Sequence, residues 1–249
     1  MIGTIVNTCT IIAGGIVGAL LHRGIKEKYK NVLYDSLGLA SIAIGLNATI
    51  SHLGGSEYPV LFIVSIALGG VVGTRLDLNG RFHRLVDKFQ KRGSTRTGQD
   101  PDPTREAAST DKTSRGNLAD GLATACLLYC IGPLSMLGPV ISALQGDHTF
   151  LFTNATLDLV SSLVFASTYG IGMILAAPVL FCWQGAFWLV AKLSSSAVSD
   201  ALMSELLIVG GLMIVASGLN LLRIKDCKVL NLLPSLLVPI AFFFLKWLF

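Results

Sequence analysis

Apolar segments of nearly uniform length dominate this sequence and restrict what it can fold into. The chain of 249 residues is 52% hydrophobic and 14% charged, whereas soluble domains average about 25% charged residues. A helix needs about 20 apolar residues to cross the hydrocarbon of a bilayer. Eight segments meet that length: 3–21, 34–52, 58–75, 119–144, 154–172, 174–194, 204–222 and 229–248. The sequence therefore predicts an all-α, polytopic transmembrane helical bundle surrounded by the lipid bilayer.

The number of spans depends on the apolar run 154–194. As one helix this run would be roughly 60 Å long, about twice the hydrocarbon thickness. Gly170 and Gly172 supply a turn within it, which predicts two spans and a total of eight. The total is seven if the run forms one broken span.

Basic residues predict how the chain is oriented, because Lys and Arg stay on the cytoplasmic side of short loops. Of the 19 basic residues, all but Lys192 and Lys246 fall after the first, third and seventh spans. Both termini are then outside, and segment 76–118 is cytoplasmic. The first ten residues lack the basic start of a signal peptide, so the first span is expected to remain. The net charge of +4 reflects this topology, and no basic soluble domain predicts nucleic-acid binding.

A ten-residue pattern occurs twice. GLASIAIGLN, residues 38–47, and GLMIVASGLN, residues 211–220, share six letters in one frame. The same offset aligns spans 1 and 2 with spans 6 and 7, and a two-residue shift aligns span 3 with span 8. Spans 1–3 and 6–8 are five spans apart, so they cross in opposite senses. Corresponding loops also carry opposite basic bias: 22–33 is basic and 195–203 is not.

This pattern predicts an inverted repeat, which is typical of secondary transporters and some channels. Four parts follow from it: a first membrane repeat (1–78), a cytoplasmic part (79–118), two central spans (119–173) and a second, inverted repeat (174–249). In the cytoplasmic part, residues 81–92 have one apolar and one basic face, typical of a helix in the headgroup layer. Residues 93–117 are polar and predict a disordered tether.

Catalytic and metal-binding patterns are missing from the sequence. The five cysteines form no CxxC pair, the histidines fall in loops or at span ends, and neither a phosphate-binding loop nor a nucleophile elbow occurs. We therefore expect no cofactor, no bound metal and no enzyme activity.

Helix-breaking and polar residues at membrane depth mark a candidate substrate site. Gly132-Pro133 and Gly138-Pro139 interrupt the fourth span, and proline frees backbone groups that need partners in lipid. A discontinuous helix lining a solute site, with Ser135 beside it, and a simple kink both fit this pattern. The expected site lies between spans 1, 4, 5 and 6.

Side chains for this site would come from spans 5 and 6. Asp158 is an intramembrane acid and a functional candidate by default, although it could instead cap its span. Gln184 either lines the site or bonds a neighbouring helix. Ser161 and Ser162 either contact substrate or bond their own helix. The candidate substrate-binding residues are Gly132, Pro133, Ser135, Asp158, Ser161, Ser162 and Gln184.

Glycines recur on single faces of two spans. Gly14, Gly15 and Gly18 lie in span 1, and Gly69, Gly70 and Gly73 lie in span 3. Such faces allow helices to approach closely. They could join helices of one chain or of two copies in a homo-oligomer.

Several motifs together resemble a known family. GTIVNTCTIIAGGIVGALL, YCIGPLSMLG, LDLVSSLVFASTYGIG, QGAF and VGGLMIVASGLNLL occur in this order, and the whole resembles the bacterial YdfK/YqgA-like membrane proteins, domain of unknown function 554. The resemblance implies a bacterial inner-membrane protein and brings no substrate with it. Thr74-Arg75 stands where relatives usually have an acid after the glycines of span 3.

The inverted repeat and the polar residues favour transport of a small solute or ion. An ion channel is one alternative, because inverted repeats occur in both classes. A regulatory or scaffolding membrane subunit, acting through the segment between spans 3 and 4, is the other.

Overall fold

The computed structural model describes residues 1–21, 27–82, 84, 122, 125–126, 129–130, 132–195 and 198–248, and these residues form helices and turns without a β-strand. The interfacial helix 81–92 and the tether 93–117 lie almost wholly outside the described residues. The helices are α1 (Ile2–Leu20), α2 (Glu27–Leu53), α3 (Leu61–Arg75), α4 (Pro133–Leu144), α5 (Thr149–Tyr169), α6 (Ala176–Leu193), α7 (Asp200–Leu221), α8 (Val229–Leu232) and α9 (Leu237–Leu248). Short 3₁₀ turns, Ile171–Leu175 and Leu233–Leu236, precede α6 and α9.

Six helical stretches in the described part of the chain are long and apolar enough to cross a membrane. They are Ile2–Leu20, Asn31–Leu53, Thr149–Tyr169, Ile171–Leu193, Asp200–Leu221 and Val229–Lys246. The helices α3 and α4 are shorter, with 15 and 12 residues. These two occupy the third and fourth of the eight predicted segments, so the predicted count of eight rests on them.

Within its described residues, the fourth predicted span is interrupted at Gly132. Described residues from Leu122 to Cys130 are helical, Gly132 is extended, and α4 starts at Pro133. Gly138-Pro139 does not interrupt the helix as expected, because Pro139 lies inside α4. A helical proline removes one backbone hydrogen bond but has a φ angle that suits the helix.

The run 154–194 contains two helices. Gly170 ends α5 with φ of 87°, and a 3₁₀ turn then leads into α6. A positive φ of this kind favours glycine, because a side chain would clash with the backbone. The turn predicted at Gly170 is thus present.

The most buried long helix, α7, packs antiparallel against α2 through the repeated glycines. A β-carbon on Gly45 would lie 2.5 Å from the carbonyl oxygen of Gly211, and one on Gly38 would lie 3.0 Å from that of Gly218. Thr49 donates a hydrogen bond to the carbonyl oxygen of Ile208 (3.3 Å). The two backbones therefore touch along their length, which a larger residue would prevent.

The glycine faces of α1 and α3 are occupied within the chain. α1 runs parallel to α5, and a β-carbon on Gly14 would lie 2.5 Å from the carbonyl oxygen of Leu159. In α3, Gly69 and Gly73 pack directly against the backbone of Ser235 and Asn231. Of the two uses that the sequence left open for these faces, the described residues show helix packing within the chain.

Contacts between loops place the basic segments at one end of the bundle. The backbone N–H of Asn79 donates to Asn231 Oδ1 (2.8 Å), and Arg223 donates to Asn31 Oδ1 (3.1 Å). At the other end, Lys246 donates to the Tyr58 hydroxyl (2.6 Å). We call these the basic end and the opposite end. Between them the outer surface carries many exposed leucine, isoleucine and valine side chains, as lipid contact requires.

Candidate functional site

A cavity of about 340 Å³ extends from mid-bundle toward the basic end. Its walls come from α2, α4, α5 and α7, with Phe82 and the start of α8. The lining residues are Tyr34, Leu37, Ser41, Phe82, Gly132, Pro133, Leu134, Asn154, Leu157, Asp158, Ser161, Ser217, Asn220, Leu221, Val229 and Leu230. Leucines thus supply much of the wall. Among the described lining residues, one side chain is charged, the carboxylate of Asp158.

Asp158 lies near the middle of α5 and is only 5% exposed. Asn7 of α1 donates to its Oδ2 (2.9 Å), and Asn154, one turn earlier in α5, donates to the same oxygen (2.8 Å). A buried carboxylate needs such donors, because removal from water is costly. The two amides hold the carboxylate at the cavity wall.

Ser162 of α5 lies next to the site without lining the cavity. Ser162 donates to the carbonyl oxygen of Asp158 (2.5 Å), and its Oγ lies 3.0 Å from the Tyr129 hydroxyl. Ser161, one residue earlier, lines the cavity. Of the two predicted serines, only Ser161 faces the space where a solute would sit.

The helix break forms another wall. Gly132 is extended with no atoms close to where a β-carbon would stand, and Pro133 begins α4. The N–H of Ser135 bonds the carbonyl oxygen of Gly132 (3.0 Å). The interrupted backbone therefore borders the cavity.

Gln184 and Ser135 form a separate polar pair. Both are completely buried, and Gln184 Nε2 donates to Ser135 Oγ (3.2 Å). Neither residue lines the cavity. Of the seven predicted residues, the structure brings Gly132, Pro133, Asp158 and Ser161 to one cavity, with Ser162 behind it. The cavity walls include α2 and α7, where α1 and α6 were expected.

Sequence reasoning missed the amide partners of Asp158. Asn154 precedes Asp158 by one helical turn, a spacing that brings side chains together, so this partner was visible in the sequence. Asn7 was an amide within an otherwise apolar span, but its position opposite Asp158 depends on the packing of α1 against α5. Tyr34 and Asn220 enter the site through α2 and α7 in the same way.

An apolar cluster lies between the cavity and the opposite end. It combines Leu134, Leu137 and Ile141 of α4 with residues of α2, α5 and α7. We call this set the apolar plug: Ala48, Leu134, Leu137, Ile141, Phe150, Met203, Leu207 and Ile214. All are buried, so packed apolar side chains fill the bundle at this level.

A second buried acid lies near the opposite end. Glu205 of α7 is 1% exposed and accepts a hydrogen bond from the Ser56 hydroxyl. Its other oxygen, Oε2, is buried without a hydrogen-bond partner among the described residues. The sequence alone did not single out Glu205, because it lies at the start of a predicted span, where an acid commonly faces solvent.

Metal-binding geometry is absent from the described part of the chain. No three His, Cys, Asp or Glu side chains there come together, and the five cysteines are free. The polar side chains that line the cavity carry a carboxylate, amides and hydroxyls.

Apolar helices of membrane-spanning length around a cavity with a single buried carboxylate among its described residues define an integral membrane protein. Comparison with known proteins agrees with this class. The chain belongs to the family described as "Protein of unknown function (DUF554)", which it matches over residues 2–244.

Two relatives show how far the similarity extends. The chain is 48% identical to the uncharacterized membrane protein YdfK of Bacillus subtilis, over 96% of this chain and 94% of the relative. It is 24% identical to the uncharacterized protein YqgA of Escherichia coli, over 99% of both chains. No solved structure matches the chain.

Proposed function

We propose that this protein is a multi-pass transporter of the bacterial inner membrane that moves a small solute or ion through the Asp158 cavity. The observation that carries the proposal is the cavity itself. A carboxylate held by Asn7 and Asn154 lies mid-bundle, beside a helix break at Gly132. Secondary transporters bind their substrates at such broken helices near the membrane midplane.

The packing of α2 against α7 supports an inverted repeat. In the sequence repeat, Gly38 corresponds to Gly211 and Gly45 to Gly218. Gly38 packs against Gly218, and Gly45 packs against Gly211. A two-fold axis produces this reciprocal arrangement, in which each residue contacts its partner's counterpart. Two halves related in this way can exchange conformations around a shared site.

The distribution of polar and apolar groups supports alternating access. The cavity reaches from Asp158 to Asn220 and Val229 near the basic end, while the apolar plug closes the other direction. With the basic end cytoplasmic and both termini outside, this is an inward-facing conformation. The outward-facing conformation would open the plug and close the cavity at the basic end.

The plug favours a transporter over a channel, because a channel needs one continuous path. We also propose that the protein is not an enzyme, since the side chains that bond the Asp158 carboxylate among the described residues are amides, which do not exchange protons at neutral pH. The scaffolding alternative depends on segment 79–118. Removal of this segment would abolish the function of a scaffold and leave transport largely intact.

Currents from purified protein in liposomes on a solid-supported membrane test the proposal. Ions and small cationic, neutral and zwitterionic solutes are applied as concentration jumps. We expect one solute class to give a saturable transient current that Asp158→Asn abolishes. Asp147→Asn removes the same charge from an exposed loop at the opposite end and should leave the current unchanged. A steady flux that does not saturate would establish a channel, and silence in every condition would contradict transport.

A further inference from the structure

The chemistry of the Asp158 cavity indicates the class of its ligand. This inference rests on the proposed function and goes beyond it: we propose that the ligand is a small organic amine in its protonated form. Its ammonium group binds the Asp158 carboxylate, and its apolar body packs against the leucines of α2, α5, α7 and α8.

The carboxylate keeps one oxygen for a ligand. Among the described residues, both amides that bond its side chain, those of Asn7 and Asn154, donate to Oδ2. Oδ1 receives no donor from these residues, yet Asp158 lines the cavity. An ionised carboxylate accepts hydrogen bonds on both oxygens. An ammonium group offers three donors and a compensating charge, so it completes the shell of Oδ1.

The rest of the wall selects against an inorganic cation. Hard cations take about six or more oxygen ligands. Much of the described wall is hydrocarbon, including Leu37, Leu157 and Leu221, and the side-chain oxygen of Asn220 already accepts from the backbone N–H of Cys227. Such a surface binds hydrocarbon well and leaves a bare ion short of ligands. An organic cation presents a charge to Asp158 and carbon atoms to the leucines.

An anionic ligand fits poorly. The lining residues that the structure describes include no lysine or arginine, and Asp158 repels a second carboxylate. The start of α4 attracts negative charge, but Pro133 has no N–H, and the N–H of Ser135 already bonds Gly132. Arg223, near the mouth, donates to Asn31, and Lys228 is exposed to solvent, where salt screens its charge over about 8–10 Å.

Calorimetric titration of the purified full chain in detergent tests the ligand class. The probes are 2-phenylethylammonium, its neutral isostere 2-phenylethanol, phenylacetate and sodium chloride. We expect saturable binding of the ammonium compound, with the other three at least about tenfold weaker. The alcohol lacks the positive charge, phenylacetate is repelled by Asp158, and sodium has no apolar body to pack against the leucines. Equal or tighter binding of the alcohol, the anion or sodium would overturn the inference.

Variants locate the binding. Asp158→Asn should weaken 2-phenylethylammonium about 10- to 100-fold, and Asp147→Asn should not weaken it. Leu230→Trp, which fills the apolar wall and leaves Asp158 intact, should weaken 2-phenylethylammonium more than methylammonium. Unchanged affinity in Asp158→Asn would overturn the inference. The probe series tests the ligand class with wild-type protein alone, so a variant that fails to fold does not remove the test.

The inference and the proposed function fail in different ways. Saturable ammonium binding without any solute-driven current would retain the ligand class and reject transport. A current that depends on Asp158 but is carried by neutral or anionic solutes would retain transport and reject the amine.

Discussion

At the scale of single residues, two buried polar side chains, Asp158 and Gln184, have specific side-chain partners. Asp158 is bonded by Asn7 and Asn154, and Gln184 by Ser135. In an apolar interior, a polar group without a partner costs more than the bond itself contributes when formed. The loss of one partner should therefore be measurable even where the fold is retained.

Asn7→Ala should lower stability through Asp158. The change removes one of two amides from Asp158 Oδ2, and we expect a loss of about 1–3 kcal/mol in unfolding free energy. Thr8→Ala is the control, because its hydroxyl donates to the carbonyl oxygen of Thr4 in its own helix and has no part in the Asp158 site. Unfolding by denaturant in detergent measures both. Equal losses of unfolding free energy in the two variants would show that the hydrogen bond from Asn7 to Asp158 contributes no more to stability than a bond within one helix.

Ser56→Ala should destabilise the opposite end. Without the Ser56 hydroxyl, neither carboxylate oxygen of Glu205 keeps a partner among the described residues. A loss of about 1–3 kcal/mol is expected. Ser36→Ala, at an exposed serine bonded to its own helix, should change unfolding free energy by less than about 0.5 kcal/mol. A Ser56→Ala protein as stable as wild type would mean that Glu205 finds another partner.

At the scale of helices, glycine contacts set which pairs approach closely. The α2–α7 pair uses Gly38, Gly45, Gly211 and Gly218. The repeated sequence therefore has a direct packing role in addition to any symmetry that it reflects.

Gly45→Ala should weaken the α2–α7 contact. The added methyl would lie 2.5 Å from the carbonyl oxygen of Gly211 and close to Val215, so the helices must separate. Overpacking of this kind costs about 1–3 kcal/mol. Gly54→Ala is the matched control, because no atom lies within 4 Å of its β-carbon position. If thermal unfolding in detergent gives the same midpoint for both variants, the close contact does not contribute to stability.

The sequence predicted individual elements better than their arrangement. Segment length and the turn at Gly170 predicted the α5–α6 break, and Gly132-Pro133 predicted the break before α4. The break expected at Pro139 was wrong because a proline can remain inside a helix when only one backbone bond is lost. The composition of the cavity wall could not be predicted from the sequence. Tyr34 and Asn220 line the same cavity as Asp158 because α2 packs against α7.

At the scale of the whole molecule, the cavity and the apolar plug divide the bundle. The cavity reaches from mid-bundle to the basic end, and the plug fills the other direction. We propose that this division represents one conformation of an alternating-access cycle, with the site open to the cytoplasm.

Thiol accessibility of Ser161→Cys measures from which end of the bundle the cavity is open. The change is made in a chain whose five cysteines are replaced by alanine, and a membrane-impermeant maleimide is added to vesicles of each orientation. We predict rapid labelling from the basic end and slow labelling from the opposite end. Leu137→Ser, which loosens the plug, should speed the slow reaction. Equally rapid labelling of Ser161→Cys from both ends would contradict alternating access, because it would require an open pore.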